Sequence, residues 1–225
     1  MDTPTKGQIH VAETPERPVR RVRLSAAQRR QQLIDVSRGL FAELGYDAST
    51  VEEIAARAGV SKPVVYEHFG GKEGLYAVVC DREMDHLGKR INEALEGEGS
   101  RRRVERAAIT LLTYIEERTD GFRILVREAA PTGRSSYSTL LNDAVASVAH
   151  ILEDDFVLRG YPPGPSGVYA QALVGAVSFT AQWWLDTREP SKEEVAAHVV
   201  NLCYNGLTAL ERNPTLMTRG PGISI

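Results

Sequence analysis

Residues 50–72 gather five side chains that carry a hydrogen-bond donor or a positive charge: Thr50, Lys62, Tyr66, His68 and Lys72. A hydroxyl, a phenol, an imidazole and two ammonium groups share one competence, which is to hold phosphate oxygens. Lys62, Pro63 and Val64 come just before Tyr66 and His68, so they form the leading edge of the element that carries the set. No nucleophile stands beside a base here. The chain has no HExxH, no GxSxG, no phosphate-cradling loop and no paired Cys/His spacing. No catalysis, metal or cofactor is therefore expected.

Two short helices joined by a tight turn must position these groups. Thr50 with Glu53, or Ser49 with Glu52, has the spacing of a capping box. Val51, Ile54, Ala55 and Ala58 then recur at helical spacing. Gly59 permits a positive-φ turn, Ala55 allows close helix approach, and Val60 fills the space beneath the turn. Ser61 can cap the next helix, with Pro63 in its first turn, where a missing N–H costs little. Val65 and Phe69 face inward. Gly70 and Gly71 end the helix. Such a pair projects the start of its second helix outward, and a DNA major groove is wide enough to take it. An ordinary αα-corner needs the same Ala, Gly and apolar residues.

An earlier helix is marked by Leu33, Val36, Leu40, Phe41 and Leu44, with Gly45 as its stop. The whole run, about residues 26–79, resembles the DNA-binding domain of the TetR family of bacterial regulators. The matching residues are Leu40, Phe41, Gly45, Tyr46, Thr50, Val51, Ile54, Ala55, Ala58, Gly59, Val60, Ser61, Val65, Tyr66, His68, Phe69, Lys72 and Leu75. The resemblance implies a three-helix DNA-binding head, a linking fourth helix, and a larger helical domain for ligand binding and dimerisation. It also implies that Lys62, Pro63 and Val64 meet bases, and that Thr50, Tyr66, His68 and Lys72 meet phosphates. Glu67 departs from what such a surface wants. An acid there either pairs with a neighbouring base or accepts from a cytosine amino group.

The rest of the chain fits that frame. Its 225 residues are 42% hydrophobic and carry a net charge of −3, enough for a sizeable core without a strongly basic whole. Basic charge is local instead: residues 17–38 hold seven Arg against Asp35 alone. Residues 1–22, with Pro4, Pro15 and Pro18, read as a disordered basic arm, followed by the helix-turn-helix domain at 23–71 and the effector and dimerisation domain at 72–225. A linking helix is expected at 72–95, and five more at about 101–118, 121–129, 135–159, 166–187 and 191–212. The chain is thus all-α with nine helices. The apolar stretch 168–185 contains Gln171, Ser178, Thr180 and Gln182 and reads as a core helix, not a membrane span. Cys80 and Cys203 read as reduced thiols, and with no signal peptide at the start the protein is expected in the cytoplasm.

The last helix has two apolar rows, through Val195, Val199, Leu202, Gly206 and Ala209 and through Ala196, Val200, Cys203, Leu207 and Leu210. A helix with two apolar faces needs cover on both, and a second subunit can supply one of them. Tyr114, Phe122, Tyr137, Phe179, Gln182 and Trp183 are candidates to line a pocket for a small apolar effector. The resulting expectation is a homodimeric repressor, released from a palindromic duplex operator by that effector. The competing reading is a helix-turn-helix regulator controlled by a protein partner, with no effector cavity.

Overall fold

The computed structural model describes residues 24–127, 137–212 and 214. Among the described residues there are nine helices and no strand: α1 (Ala26–Ala48), α2 (Val51–Ala58), α3 (Lys62–Phe69), α4 (Lys72–Leu95), α5 (Ser100–Glu117), α6 (Thr119–Val126), α7 (Tyr137–Leu158), α8 (Ser166–Thr187) and α9 (Lys192–Thr208). None is long and apolar enough to cross a membrane. The arm at 1–22 lies outside the described residues.

Local chemistry sets the ends of these helices. Ser25 with Gln28, Thr50 with Glu53, and Ser191 with Glu194 close reciprocal capping boxes. The pair at α2 is Thr50 and Glu53. Ser49 is instead buried, and its hydroxyl donates to the Gly45 carbonyl at 2.6 Å. Gly45 kinks α1 at φ 81°, and a last turn continues to Ala48, so the expected stop is a bend. Ser61 occupies the cap position of α3 but makes no side-chain cap bond. Pro63 has no N–H to offer, and the Val64 N–H bonds the Ser61 carbonyl instead. At the other end of the chain, α9 stops at Thr208, four residues short of the expected 212.

Burial divides the molecule into three apolar clusters. Leu33, Leu40 and Phe41 of α1, Ile54 of α2, Val65 of α3, and Leu75 and Val79 of α4 form the core of the head. Ile124 of α6 is only 2% exposed, and it completes that same cluster. The body core joins Leu87 and Ile91 of α4 to Tyr114, Phe122, Trp184 and Val200. A third cluster holds Leu152, Phe156, Ala170, Leu173 and Cys203. Helix α4 therefore belongs to head and body at once, and α6 wedges between them.

One carboxylate sits at that junction. Glu83 of α4 is 2% exposed. It accepts from the Tyr114 hydroxyl at 2.8 Å and from Arg118 at 2.5 and 2.9 Å, and it lies 3.5 Å from Arg38 of α1. Gly121 of α6 passes so close that a Cβ there would lie 2.2 Å from the carboxylate and would displace it. Burial pushes the Glu83 pKa up, but the bonds from Arg118 and Tyr114 and the guanidinium charges outweigh it and hold the group below its ordinary value. Such a group stabilises the fold above its unfolded pKa of about 4.5, and that contribution is lost as pH falls through the lower folded value.

We expect Glu83→Gln to cost about 2 kcal/mol at neutral pH, less than the roughly 3–5 of a fully buried pair, because Arg118 keeps 31% of its side chain exposed. Urea denaturation at pH 7 and pH 3.5 reads the effect. The gap between wild type and variant should narrow at the acid end, and a constant gap would show that the ionised carboxylate is not its source.

Candidate nucleic-acid interface

Gly59 closes α2 in the left-handed region at φ 64°, and the Val60 N–H bonds back to the Ala55 carbonyl at 2.9 Å. This turn aims α3 away from the core. Only Val65 of α3 is buried, while Val64, His68 and Phe69 are half-buried. Lys62, Pro63, Tyr66 and Glu67 are exposed, Tyr66 by 54%. Gly70 and Gly71 then turn the chain into α4 at φ 73° and 130°.

The sequence-expected residues fall into two kinds on this surface. Lys62 and Tyr66 extend from α3, and Lys62 pairs with Glu52 in the first turn of α2. Thr50 and Lys72 are already engaged. The Thr50 hydroxyl donates to Glu53 at 2.9 Å and accepts the Glu53 N–H at 3.2 Å. The Lys72 ammonium donates to the Tyr46 carbonyl at 2.9 Å and lies 4.2 Å from the centre of the Tyr46 ring. That contact ties the start of α4 to the loop that leads into the α2 cap. The Lys62–Glu52 pair ties α3 to the same end of α2. The start of α3 is thereby tied to the start of α2, and the start of α4 to the end of α1, and the N–H groups at such helix starts favour anions.

His68 is held through its backbone. Its carbonyl accepts from Arg30 at 3.3 Å, and Arg30 also stacks 4.4 Å over the Phe69 ring. Glu67 makes no ion pair among the described residues.

The six pocket candidates separate. Tyr137 lines an apolar cavity of about 80 Å³ between α4, α5, α7 and α8. Phe122 packs edge-on against Tyr137, with ring centres 5.6 Å apart, and Gln182 lies close to the Tyr137 hydroxyl. Tyr114 is committed to Glu83. Phe179 and Trp183 face outward, 74% and 53% exposed, and do not line the cavity. The reason is that α8 buries the face carrying Leu173, Ser178, Ala181, Trp184 and Leu185, which turns both rings away. The arginines of the arm, Arg17, Arg20, Arg21 and Arg23, lie outside the described residues. Glu83 and Arg118 were not anticipated from sequence, yet the signal was present: Glu83 falls on the same stripe of α4 as Tyr76, Val79 and Leu87.

Comparison with known proteins agrees with this geometry. Residues 33–79 match the bacterial regulatory proteins of the tetR family, and residues 101–206 match a tetracyclin repressor-like C-terminal domain. The HTH-type transcriptional activator FasR of Mycolicibacterium smegmatis is 29% identical over 191 residues, covering 83% of this chain and 86% of that protein. The HTH-type transcriptional repressor Rv3405c of Mycobacterium tuberculosis is 36% identical over 75 residues, 33% of this chain and 38% of that protein. A TetR-like transcriptional regulator from Rhodococcus sp. RHA1 superposes with a TM-score of 0.70 at 26% identity, covering 84% of this chain and 100% of that one. The chain belongs to the tetR family of bacterial regulatory proteins and is a DNA-binding transcriptional regulator.

The junction of α3 and α4 gives a test of opposite sign to the usual rule. Alanine normally stabilises a helix interior over glycine by about 0.5–1 kcal/mol. At Gly74 a Cβ would lie 2.0 Å from the Phe69 carbonyl oxygen, so backbone must move. We expect Gly74→Ala to lower the melting temperature and to weaken duplex binding, both read on the same preparation. A raised melting temperature would show that α3 and α4 are not locked together here.

Proposed function

We propose that two copies of this chain bind an inverted-repeat operator, and that a small, largely apolar molecule inside the C-terminal domain lowers their affinity for it. Where the operator overlaps a promoter, the outcome is repression relieved by the effector. The observation that carries the DNA half is the outward start of α3 beyond the Gly59 turn, where Lys62, Pro63, Tyr66 and Glu67 are exposed and Val64 is half-buried. Lys62, Pro63 and Val64 read base edges, while Thr50, Tyr66, His68 and Lys72 hold phosphates. Glu67, exposed and without an ion pair among the described residues, is free to accept from a cytosine amino group.

Two further observations support the remaining parts. On the outside of α8 and α9, Val168, Phe179, Trp183 and Leu202 are 53–74% exposed, an apolar surface that a second copy would cover. Of the two apolar rows of α9, Ala196, Val200 and Cys203 are buried within the chain, while Leu202, Gly206 and Ala209 remain outside. The cavity beside Tyr137 favours a small molecule over control by a protein partner alone, which requires no internal space. Effector binding need only prefer one head spacing over another, and a coupling of about 1–3 kcal/mol changes affinity about 5–150-fold.

The two lysines should separate by role. Lys72→Ala should weaken specific and random duplexes alike and flatten the dependence of log affinity on log salt, by about 0.9 for each phosphate that Lys72 neutralises. Lys62→Ala should instead relax preference at particular base positions. Equal effects of both variants on specific and random duplexes, with folding verified by thermal melts, would remove the assigned roles.

A further inference from the structure

The cavity between α4, α5, α7 and α8 has one chemical peculiarity. Of its lining side chains among the described residues, only Tyr137 and Ser178 carry a polar atom. Tyr137 opens α7 and is 7% exposed. Its hydroxyl is buried and has no hydrogen-bond partner among the described residues. Ser178 and Gln182 of α8 lie near enough to interact with it, though neither meets hydrogen-bond geometry. The ring itself is held edge-on against Phe122, so it cannot swing out to water without breaking a packed contact. A buried polar atom left unpaired works against folding, and such atoms are few in native chains. An isolated one in an otherwise apolar wall points to a partner that arrives from outside.

Building on the effector cavity proposed above, we infer that Tyr137 is the hydrogen-bonding residue by which this cavity selects its occupant: an uncharged, largely apolar molecule with one oxygen acceptor set against the phenol hydroxyl. Among the described residues no charged side chain lines the apolar cavity, so a charged group placed there would lose its hydration without compensation. Burial pushes the Tyr137 pKa up to about 12, which keeps the phenol protonated and a donor at any physiological pH. The apolar space holds about 80 Å³, and an adjoining one of about 30 Å³ shares Leu95, Val104, Val148 and Leu173 but is also lined by Arg103, Asp155 and Arg159. The apolar space is smaller than the roughly 150 Å³ in which an engineered apolar cavity takes up benzene. Its occupant is therefore a small molecule of at most one ring, bearing one carbonyl, ether or hydroxyl oxygen.

The test uses the full chain, its Tyr137→Phe variant, and two probes of equal size, cyclohexanone and methylcyclohexane. In wild type the ketone should be favoured over the hydrocarbon by a ratio about fivefold larger than in the variant, the span expected of one hydrogen bond. The carbonyl stretch of bound cyclohexanone should move to lower frequency in wild type and return in the variant. Without ligand, Tyr137→Phe should melt at the same temperature or higher, since it removes an unpaired hydroxyl. An unchanged affinity ratio, an unshifted carbonyl band, or a lowered melting temperature of the free variant would each overturn the assignment. If neither probe enters the wild-type cavity, the effector-site reading falls with it. Probe binding that follows the Tyr137 pattern without releasing DNA would defeat only the regulatory reading and support the assignment of Tyr137.

Discussion

The Glu83 carboxylate is the contact on which the relation of head to body depends. It is buried on the one helix that both parts share, and its partners come from every side: Arg38 from α1, Tyr114 from α5, and Arg118 from the junction of α5 and α6. A carboxylate so far from water is tolerated only while those partners stay in place. Two further contacts act in the same direction. Ile124 of α6 fills the head core, and Arg127 donates to the Ala42 carbonyl of α1 at 2.8 Å. The head therefore cannot tilt on α4 unless α6 and the end of α5 move with it. Packed and hydrogen-bonded groups thus join the body to the head without a break.

The polar chemistry is distributed to suit that arrangement. Donors and cations crowd the exposed end of α3 and the starts of α2 and α4, where partial positive charge from the helix ends adds to theirs. The interior between α4, α5, α7 and α8 holds almost none. The outer face of α8 and α9 is apolar in patches but interrupted by Gln171 and Asn201, in keeping with a surface covered by a like surface. The cationic face of the head, the apolar cavity and the exposed apolar face of α8 and α9 thus occupy separate parts of one helical chain. The cysteines take no part in these surfaces: both are free, and burial pushes the Cys80 thiol up to about 11.

Much of this was legible in the sequence because local rules decide it. Helix ends follow from capping residues and glycines, so the bounds of α2 follow from Thr50 and Gly59 with little reference to the rest of the fold. The exposed set on α3 was legible for the same reason: once Val65 is fixed inward, its neighbours must point out. Tertiary partners were not legible. Nothing local tells that Glu83 will meet Arg118, 35 residues away, although an acid on an apolar stripe marks the position as unusual. The outward placement of Phe179 and Trp183 was missed because α8 is apolar all round, so its composition does not say which face lies inside. Lys72 offered only its charge to a sequence reading. Its anchorage on the Tyr46 carbonyl depends on the kink at Gly45, which brings that loop to the start of α4.

The central claim is that this helical chain reads DNA as a two-fold object through the exposed edge of α3. Selection of bound sites from random duplexes with the full chain tests it most directly. The account predicts enrichment of an inverted repeat, with half-site centres separated by about one DNA turn, roughly 34–36 Å, or somewhat more. Enrichment of asymmetric, unrepeated sites alone, or no enrichment over random duplex, would contradict it.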